Sequence, residues 1–201
     1  MKIGIIGIGM LGNAVALHLL DSGFDVTVYN RTKEKTNQVK QKGAKIVTSP
    51  KIMAKNVELI ITIVKDAKAV RDVIFGKDGI IESQNKKLII ADMSTIDPVE
   101  SKNIAKELQQ HQIEKLEIPV MGGPNVAING ELVMMVSGKK NNFEYDPLWQ
   151  LKRKIIINNS NDLIKLFKKR TFFSQKKILG YINFANNFYR PVNYKKLREK
   201  V

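Results

Sequence analysis

Cysteine is absent from the 201-residue chain. That excludes a disulfide framework, a zinc-thiolate site and a cysteine nucleophile. Histidine is nearly absent, since His18 and His111 are the only two. A multi-histidine metal centre is therefore excluded, and no metal site is expected. Long apolar runs are missing as well. A stretch such as Leu59-Ile60-Ile61-Thr62-Ile63-Val64 stops far short of the ~18 residues a membrane span needs. The opening Met1-Lys2-Ile3-Gly4-Ile5-Ile6-Gly7 enters glycine turn chemistry too early for a secretory signal. The expectation is a soluble, cytoplasmic protein with no membrane partner.

Acidic residues are scarce in one region only. The chain carries 34 Lys/Arg and 19 Asp/Glu, for a formal charge of +15. Residues 151–201 hold 14 of the basic residues but only two acids, Asp162 and Glu199, a net of +12. Residues 1–150 are left with +3. The same end holds eight of the 14 aromatics, among them Phe172, Phe173, Phe184, Phe188 and Tyr189. A nearly neutral body of 1–150 is thus followed by a basic, aromatic-rich tail. The tail reads as a solvated or irregular extension, with a phosphate-binding patch as the alternative.

The body alternates strand and helix patterns. Ile3–Ile6, Asp25–Tyr29, Lys45–Val47, Val57–Val64 and Leu88–Ala91 are short apolar runs of the kind buried on both faces of a parallel sheet. Between them lie helix patterns at 13–20, from Thr32 as a cap through Lys42, after Ser49-Pro50, and from Asp66 as a cap to Phe75. A helix over Pro98–Gln110 follows, then two further strands at Glu117–Val120 and Leu132–Val136. Such alternation implies an α/β fold with a doubly wound, mostly parallel sheet. After Ile157 the periodicity fades, and a boundary is expected between Ser137 and Asn159.

Gly7-Ile8-Gly9-Met10-Leu11-Gly12 is a GxGxxG hexapeptide placed after a strand and at the start of a helix. Gly7 permits a tight turn, Gly9 lets the backbone approach a pyrophosphate, and Gly12 lets helix and strand pack closely. The second strand ends in Asn30-Arg31-Thr32, where an NAD-selective site usually has an acid. Arg31 offers a planar fork matched to phosphate, which points to a 2′-phosphate and hence NADP. On the residues alone, a surface turn with an incidental arginine stays open.

With Asp92-Met93-Ser94-Thr95 and Pro119-Val120-Met121-Gly122-Gly123-Pro124 running on to Gly130-Glu131-Leu132, these segments resemble the β-hydroxyacid dehydrogenase family. That group includes 3-hydroxyisobutyrate dehydrogenase, tartronate semialdehyde reductase and 6-phosphogluconate dehydrogenase. The resemblance covers residues 1 to about 140 and implies a Rossmann-type fold, with an NADP-binding domain over 1–150. It implies cofactor contacts at Gly7, Gly9, Met10, Leu11, Gly12, Asn30, Arg31, Thr32, Val64, Lys65 and Thr95. It also implies a substrate pocket from Ser94, Thr95, Gly122 and Gly123, which takes a small hydroxy acid or semialdehyde. Met121 stands where the family often has serine, and Glu117 where aspartate is more usual.

The family's catalytic lysine lies on a helix after the sheet domain, and Lys165 in Ile155–Leu166 is the residue similar to it. The glycines that introduce that helix are missing here, and Lys169 replaces the usual asparagine. The family continues into an all-helical domain that the tail does not resemble, so the chain reads as a C-terminally truncated member. The leading expectation is an NADP-dependent oxidoreductase of small hydroxy acids or semialdehydes, with NADPH binding retained and at most trace turnover. The alternatives are a non-catalytic NADP-binding module and a polyanion binder acting through the tail. Nucleic acid is the less favoured partner, and a homo-oligomer is left open.

Overall fold

A computed structural model describes residues 1–136 and a short strand at Ile155–Ile157. The chain divides into two units, Met1–Ile155 and Ile156–Val201, and the fold described here belongs to the first. Lys165, the basic extension and the expected boundary between 137 and 159 lie outside the described residues, the Ile155–Ile157 strand excepted.

Six strands form one sheet: β1 (Lys2–Ile6), β2 (Asp25–Tyr29), β3 (Lys45–Ile46), β4 (Leu59–Thr62), β5 (Ile89–Asp92) and β6 (Glu114–Glu117). Their spatial order is β3-β2-β1-β4-β5-β6 and all five pairings are parallel. This is the doubly wound Rossmann order. The order reverses at β1, which pairs with β2 on one side and β4 on the other, so a crevice opens at their carboxyl ends.

Helices α1 (Met10–Asp21), α2 (Asn37–Gln41), α3 (Pro50–Asn56), α4 (Ala67–Phe75) and α5 (Pro98–Gln110) connect the strands. The β-branched residues of β1, β4 and β5 explain the sheet's stability. Ile3, Ile5, Ile60, Ile61 and Ile90 are fully buried, and each such side chain contributes roughly 1.5–3 kcal/mol relative to exposure. On one face Ile6, Ile60 and Ile90 pack with Met53, Ile74, Ile80 and Ile104 from the α3, α4 and α5 side. Gly4 keeps that face flat, because a Cβ there would run into the Met53 side chain.

Helix caps follow the sequence in two places. Ser49 accepts from the Ile52 N–H at 3.3 Å and Asp66 from the Ala69 N–H at 2.7 Å. Elsewhere the structure corrects the expectation. α1 starts at Met10 rather than at residue 13, because the glycine loop itself supplies the first turn. Thr32 makes no side-chain cap. A 3-10 turn at Lys33–Thr36 comes first, and α2 spans only Asn37–Gln41. The cap of α5 is Asp97, whose carboxylate accepts from the Val99 and Glu100 N–H groups.

The largest departure is at the edge. The sequence suggested a strand at Glu117–Val120, whereas β6 runs Glu114–Glu117 and a separate short strand β7 spans Val120–Met121. The polar Glu-Lys-Leu-Glu composition hid it, because Lys115 points inward and is buried. β7 pairs antiparallel with β8 (Val133–Val136). Between them the glycine-rich turn contains an unanticipated helix, α6 (Pro124–Ile128), with proline in its first turn.

Candidate functional site

The glycine loop sits at the carboxyl end of β1, where the sheet order reverses. Gly7 has φ +100°, and a Cβ on it would meet the Ile63 carbonyl oxygen. A Cβ on Gly12 would meet the Gly7 carbonyl oxygen, so α1 packs directly on the turn. Gly9 differs from both. Nothing lies within 4 Å of its missing Cβ, and it is exposed at the start of α1. No side chain caps α1 there and no acid stands in its first turn. The first-turn N–H groups of a helix have no intrahelical partner. An open, uncapped, glycine-walled helix start fits a pyrophosphate. Met10 is exposed at the same rim, while Leu11 is half-buried.

Asn30 ends up as a clamp. Its Oδ1 accepts from the Ile8 N–H at 2.9 Å and its Nδ2 donates to the Thr32 carbonyl at 2.7 Å. The glycine loop and the turn after β2 are thereby joined through one amide. Arg31 and Thr32 are exposed, and Arg31 makes no ion pair among the described residues. Beside α1, Asn13 Nδ2 donates to Gln38 Oε1 at 2.8 Å, while its own Oδ1 is buried with no hydrogen-bond partner among the described residues.

The segment after β4 meets the segment after β5. The Val64 N–H donates to Ser94 Oγ at 3.1 Å, and the Ser94 N–H donates to Asp92 Oδ1 at 3.1 Å. Ser94 is buried by these contacts, whereas Thr95 is exposed. Val64 also lies 3.2 Å from the position of a Gly7 Cβ. Gly7, Val64 and Ser94 therefore converge on one edge. Lys65 is exposed and pairs with Asp66 at 3.3 Å. The Ala69 N–H and then Lys65 hold the Asp66 carboxyl below its ordinary value of 3.8.

Gly122 has φ +126°, and a Cβ there would press on Leu132 and Val126 at 2.9 and 3.1 Å. Gly123 faces open space at the start of α6. α6 packs against α1, and His18 Nδ1 lies 3.0 Å from the Ile128 carbonyl. His18 is thus a structural link between the two helices, and His111 ends α5. Met134 is part of the core.

Sequence reasoning missed Lys115 and Thr62, which contact the buried Asp92 side chain, and Ser101, which accepts from Lys115. Only Asp92 carried a signal, since an Asp two residues before a turn residue commonly accepts that residue's N–H. Among the described residues no cluster of metal-ligating side chains occurs, and no helix is long and apolar enough to cross a membrane.

A glycine loop of this geometry, at the reversal of a 3-2-1-4-5-6 parallel sheet, defines an NAD(P)-binding domain. The description "NAD binding domain of 6-phosphogluconate dehydrogenase" matches residues 2–147, and the chain belongs to that family. It is 41% identical over 142 residues to the uncharacterized oxidoreductase YkwC of Bacillus subtilis, covering 71% of this chain and 49% of that protein. It is 33% identical over 141 residues to rat mitochondrial 3-hydroxyisobutyrate dehydrogenase, covering 70% and 42%. Among solved structures it resembles Psf3 in complex with NADP+ and 2-OPP, with a TM-score of 0.71 and 26% identity, covering 77% and 56%. The chain spans about half the length of the curated relatives it matches.

Proposed function

We propose that residues 1–150 bind NADP(H), and that the protein is an oxidoreductase of the 3-hydroxyisobutyrate dehydrogenase type acting on a small hydroxy acid or semialdehyde. The observation that carries the cofactor choice is Arg31. It is an exposed guanidinium, unpaired among the described residues, at the end of β2 where no carboxylate stands. A carboxylate there would bind a ribose hydroxyl and repel a 2′-phosphate, whereas a guanidinium attracts the phosphate.

When bound, the nicotinamide exchanges a hydride with the carbon that bears the substrate hydroxyl. The chain's own residues do the rest. Gly9 admits the pyrophosphate to the amides of α1, with Met10, Leu11 and Gly12 forming the first turn. Arg31 and Thr32 take the 2′-phosphate. Val64 and Lys65 pass along the cofactor, with Ser94 fixing Val64 from below. Thr95 presents an exposed hydroxyl to cofactor and substrate, and the Gly122-Gly123 backbone receives the substrate carboxylate. Lys165 moves the hydroxyl proton. The names of the rat relative and of Psf3 support the substrate class and the cofactor respectively.

A second reading is an NADP-binding module without turnover. It is favoured by the sequence around Lys165, which lacks the glycines of the family pattern. Calorimetric titration with NADPH and NADH tests the cofactor, and assays with 3-hydroxyisobutyrate, tartronate semialdehyde, succinic semialdehyde and 6-phosphogluconate separate the two readings. Binding without turnover supports the module, and equal affinities for the two dinucleotides contradict the NADP assignment.

A further inference from the structure

Beneath the loop that carries Ser94 and Thr95 lies a buried ion pair that none of the roles above uses. Lys115 stands in β6 with its side chain 1% exposed, and Asp92 ends β5 with its side chain 2% exposed. Lys115 Nζ lies 3.4 Å from Asp92 Oδ2, and Nζ donates to Ser101 Oγ at 2.6 Å. Glu117 Oε1 is farther, at 3.8 Å. The other Asp92 oxygen, Oδ1, accepts from Thr62 Oγ1 at 2.8 Å and from the Ser94 N–H at 3.1 Å. Ser94 Oγ then accepts the Val64 N–H at 3.1 Å. One polar chain thus runs from β6 through β5 to the loops after β5 and β4.

Stability alone does not call for this arrangement. Well-packed apolar residues of similar volume commonly serve a core as well as, or better than, a buried ion pair. What an apolar pair cannot supply is a carboxylate held in one orientation. Among the described residues Asp92 Oδ2 has no hydrogen-bond partner, so the ammonium is what compensates it, while Oδ1 faces Thr62 and Ser94.

We propose that Lys115 is a positioning residue for the cofactor edge: through Asp92 it sets Ser94, and through Ser94 the backbone at Val64. This rests on reading that edge as the NADP(H) site. Lys115 touches neither cofactor nor substrate, and its influence passes through the hydrogen bonds. With Lys115 gone, Asp92 is left as an uncompensated buried carboxylate. The Ser94 and Val64 contacts then loosen.

The test uses the full chain with Lys115→Met, Ser94→Ala, their double variant, and the neutral pair Lys115→Met/Asp92→Asn. The neutral pair keeps the question open to experiment if Lys115→Met alone fails to fold. Two readouts are taken well below each melting temperature: NADPH affinity by fluorescence titration, and amide exchange at Val64 and Ser94 by NMR. The proposal expects Lys115→Met to weaken NADPH roughly 5- to 30-fold and to speed exchange at both amides about 10-fold, with Ile5 and Ile60 unchanged. In the Ser94→Ala background the Lys115 effect on affinity should vanish, because both residues act along one path. The neutral pair should regain melting temperature, affinity and slow exchange together, because an amide oxygen at 92 still accepts from Thr62 and Ser94 and no buried charge is left uncompensated. A folded Lys115→Met variant with wild-type affinity and wild-type exchange at Val64 and Ser94 overturns the proposal, as does a neutral pair about 5-fold weak or more. So does a Lys115 effect that persists in full beside Ser94→Ala. If the unmodified chain does not bind NADPH, the functional reading falls instead, and the exchange data alone decide whether Lys115 positions the two loops.

Discussion

Asn30 holds Ile8: the side-chain oxygen of one accepts the backbone N–H of the other at 2.9 Å. The same amide donates to the Thr32 carbonyl, so one side chain ties the glycine loop to the turn after β2. Asn30→Ala should cost about 1–3 kcal/mol of stability, because the Ile8 N–H loses its partner. It should weaken NADPH and NADH alike. Asn30→Asp keeps an acceptor for Ile8 but places a negative charge beside the phosphate, so NADPH should suffer more than NADH. Urea melts with paired titrations check both outcomes.

The loop glycines divide into two kinds. Gly12→Ala should destabilise the fold by ~1–3 kcal/mol, because its Cβ has only the Gly7 carbonyl to occupy. Gly9→Ala meets open space and should leave stability within about 0.5–1 kcal/mol of wild type. It should nonetheless weaken dinucleotide binding about 10-fold or more, because the methyl fills the pyrophosphate approach. Thermal melts beside titrations separate the two. A Gly9→Ala protein that binds normally would remove the pyrophosphate from this loop.

The acid limb of the stability profile carries a local signature. The Ala69 N–H and Lys65 keep Asp66 ionised below its ordinary carboxyl value. A depressed carboxyl stabilises the fold above the unfolded-state value of about 4 and ceases to as pH falls through the folded-state value. The stability difference between wild type and Asp66→Asn should therefore be constant above about pH 5 and shrink below about pH 4. Urea unfolding across that range measures it. A difference that stays flat into strong acid would mean the cap does not depend on charge.

Much of the fold was legible because buried parallel strands are apolar on both faces, and β1, β2, β4 and β5 are written that way. The caps at Ser49 and Asp66 were legible for the same local reason: each side chain reaches an N–H only three residues away. β6 was not. Its alternation of Glu and Lys looks solvated, and nothing in the chain near Lys115 shows that Asp92 and Ser101 wait for its ammonium. α6 was hidden in a glycine-rich turn because five residues are too few for helical periodicity to register. At the candidate site, the glycine loop between β1 and α1 was legible from its spacing. The clamp role of Asn30 was not, because its partner Ile8 is 22 residues away and joins it only once β1 and β2 pair.

Lys165 is the residue proposed above to move the hydroxyl proton. The account expects the chain to turn over small hydroxy acids and semialdehydes at a trace rate or not at all. Whatever rate exists should be abolished by Lys165→Ala with NADPH affinity retained. Steady-state assays on the four substrates named above check it. Robust turnover that survives Lys165→Ala would place the proton-transfer group elsewhere.

The most direct test of the central claim is a calorimetric comparison of NADPH with NADH on the unmodified chain and on Arg31→Ala. Each charge-assisted contact to the 2′-phosphate contributes ~1.5–3 kcal/mol. NADPH should accordingly bind one site more than about 10-fold tighter than NADH. Arg31→Ala should erase most of that preference and leave NADH affinity nearly unchanged. Equal affinities for the two dinucleotides, or a preference for NADPH that survives the loss of Arg31, would contradict the account.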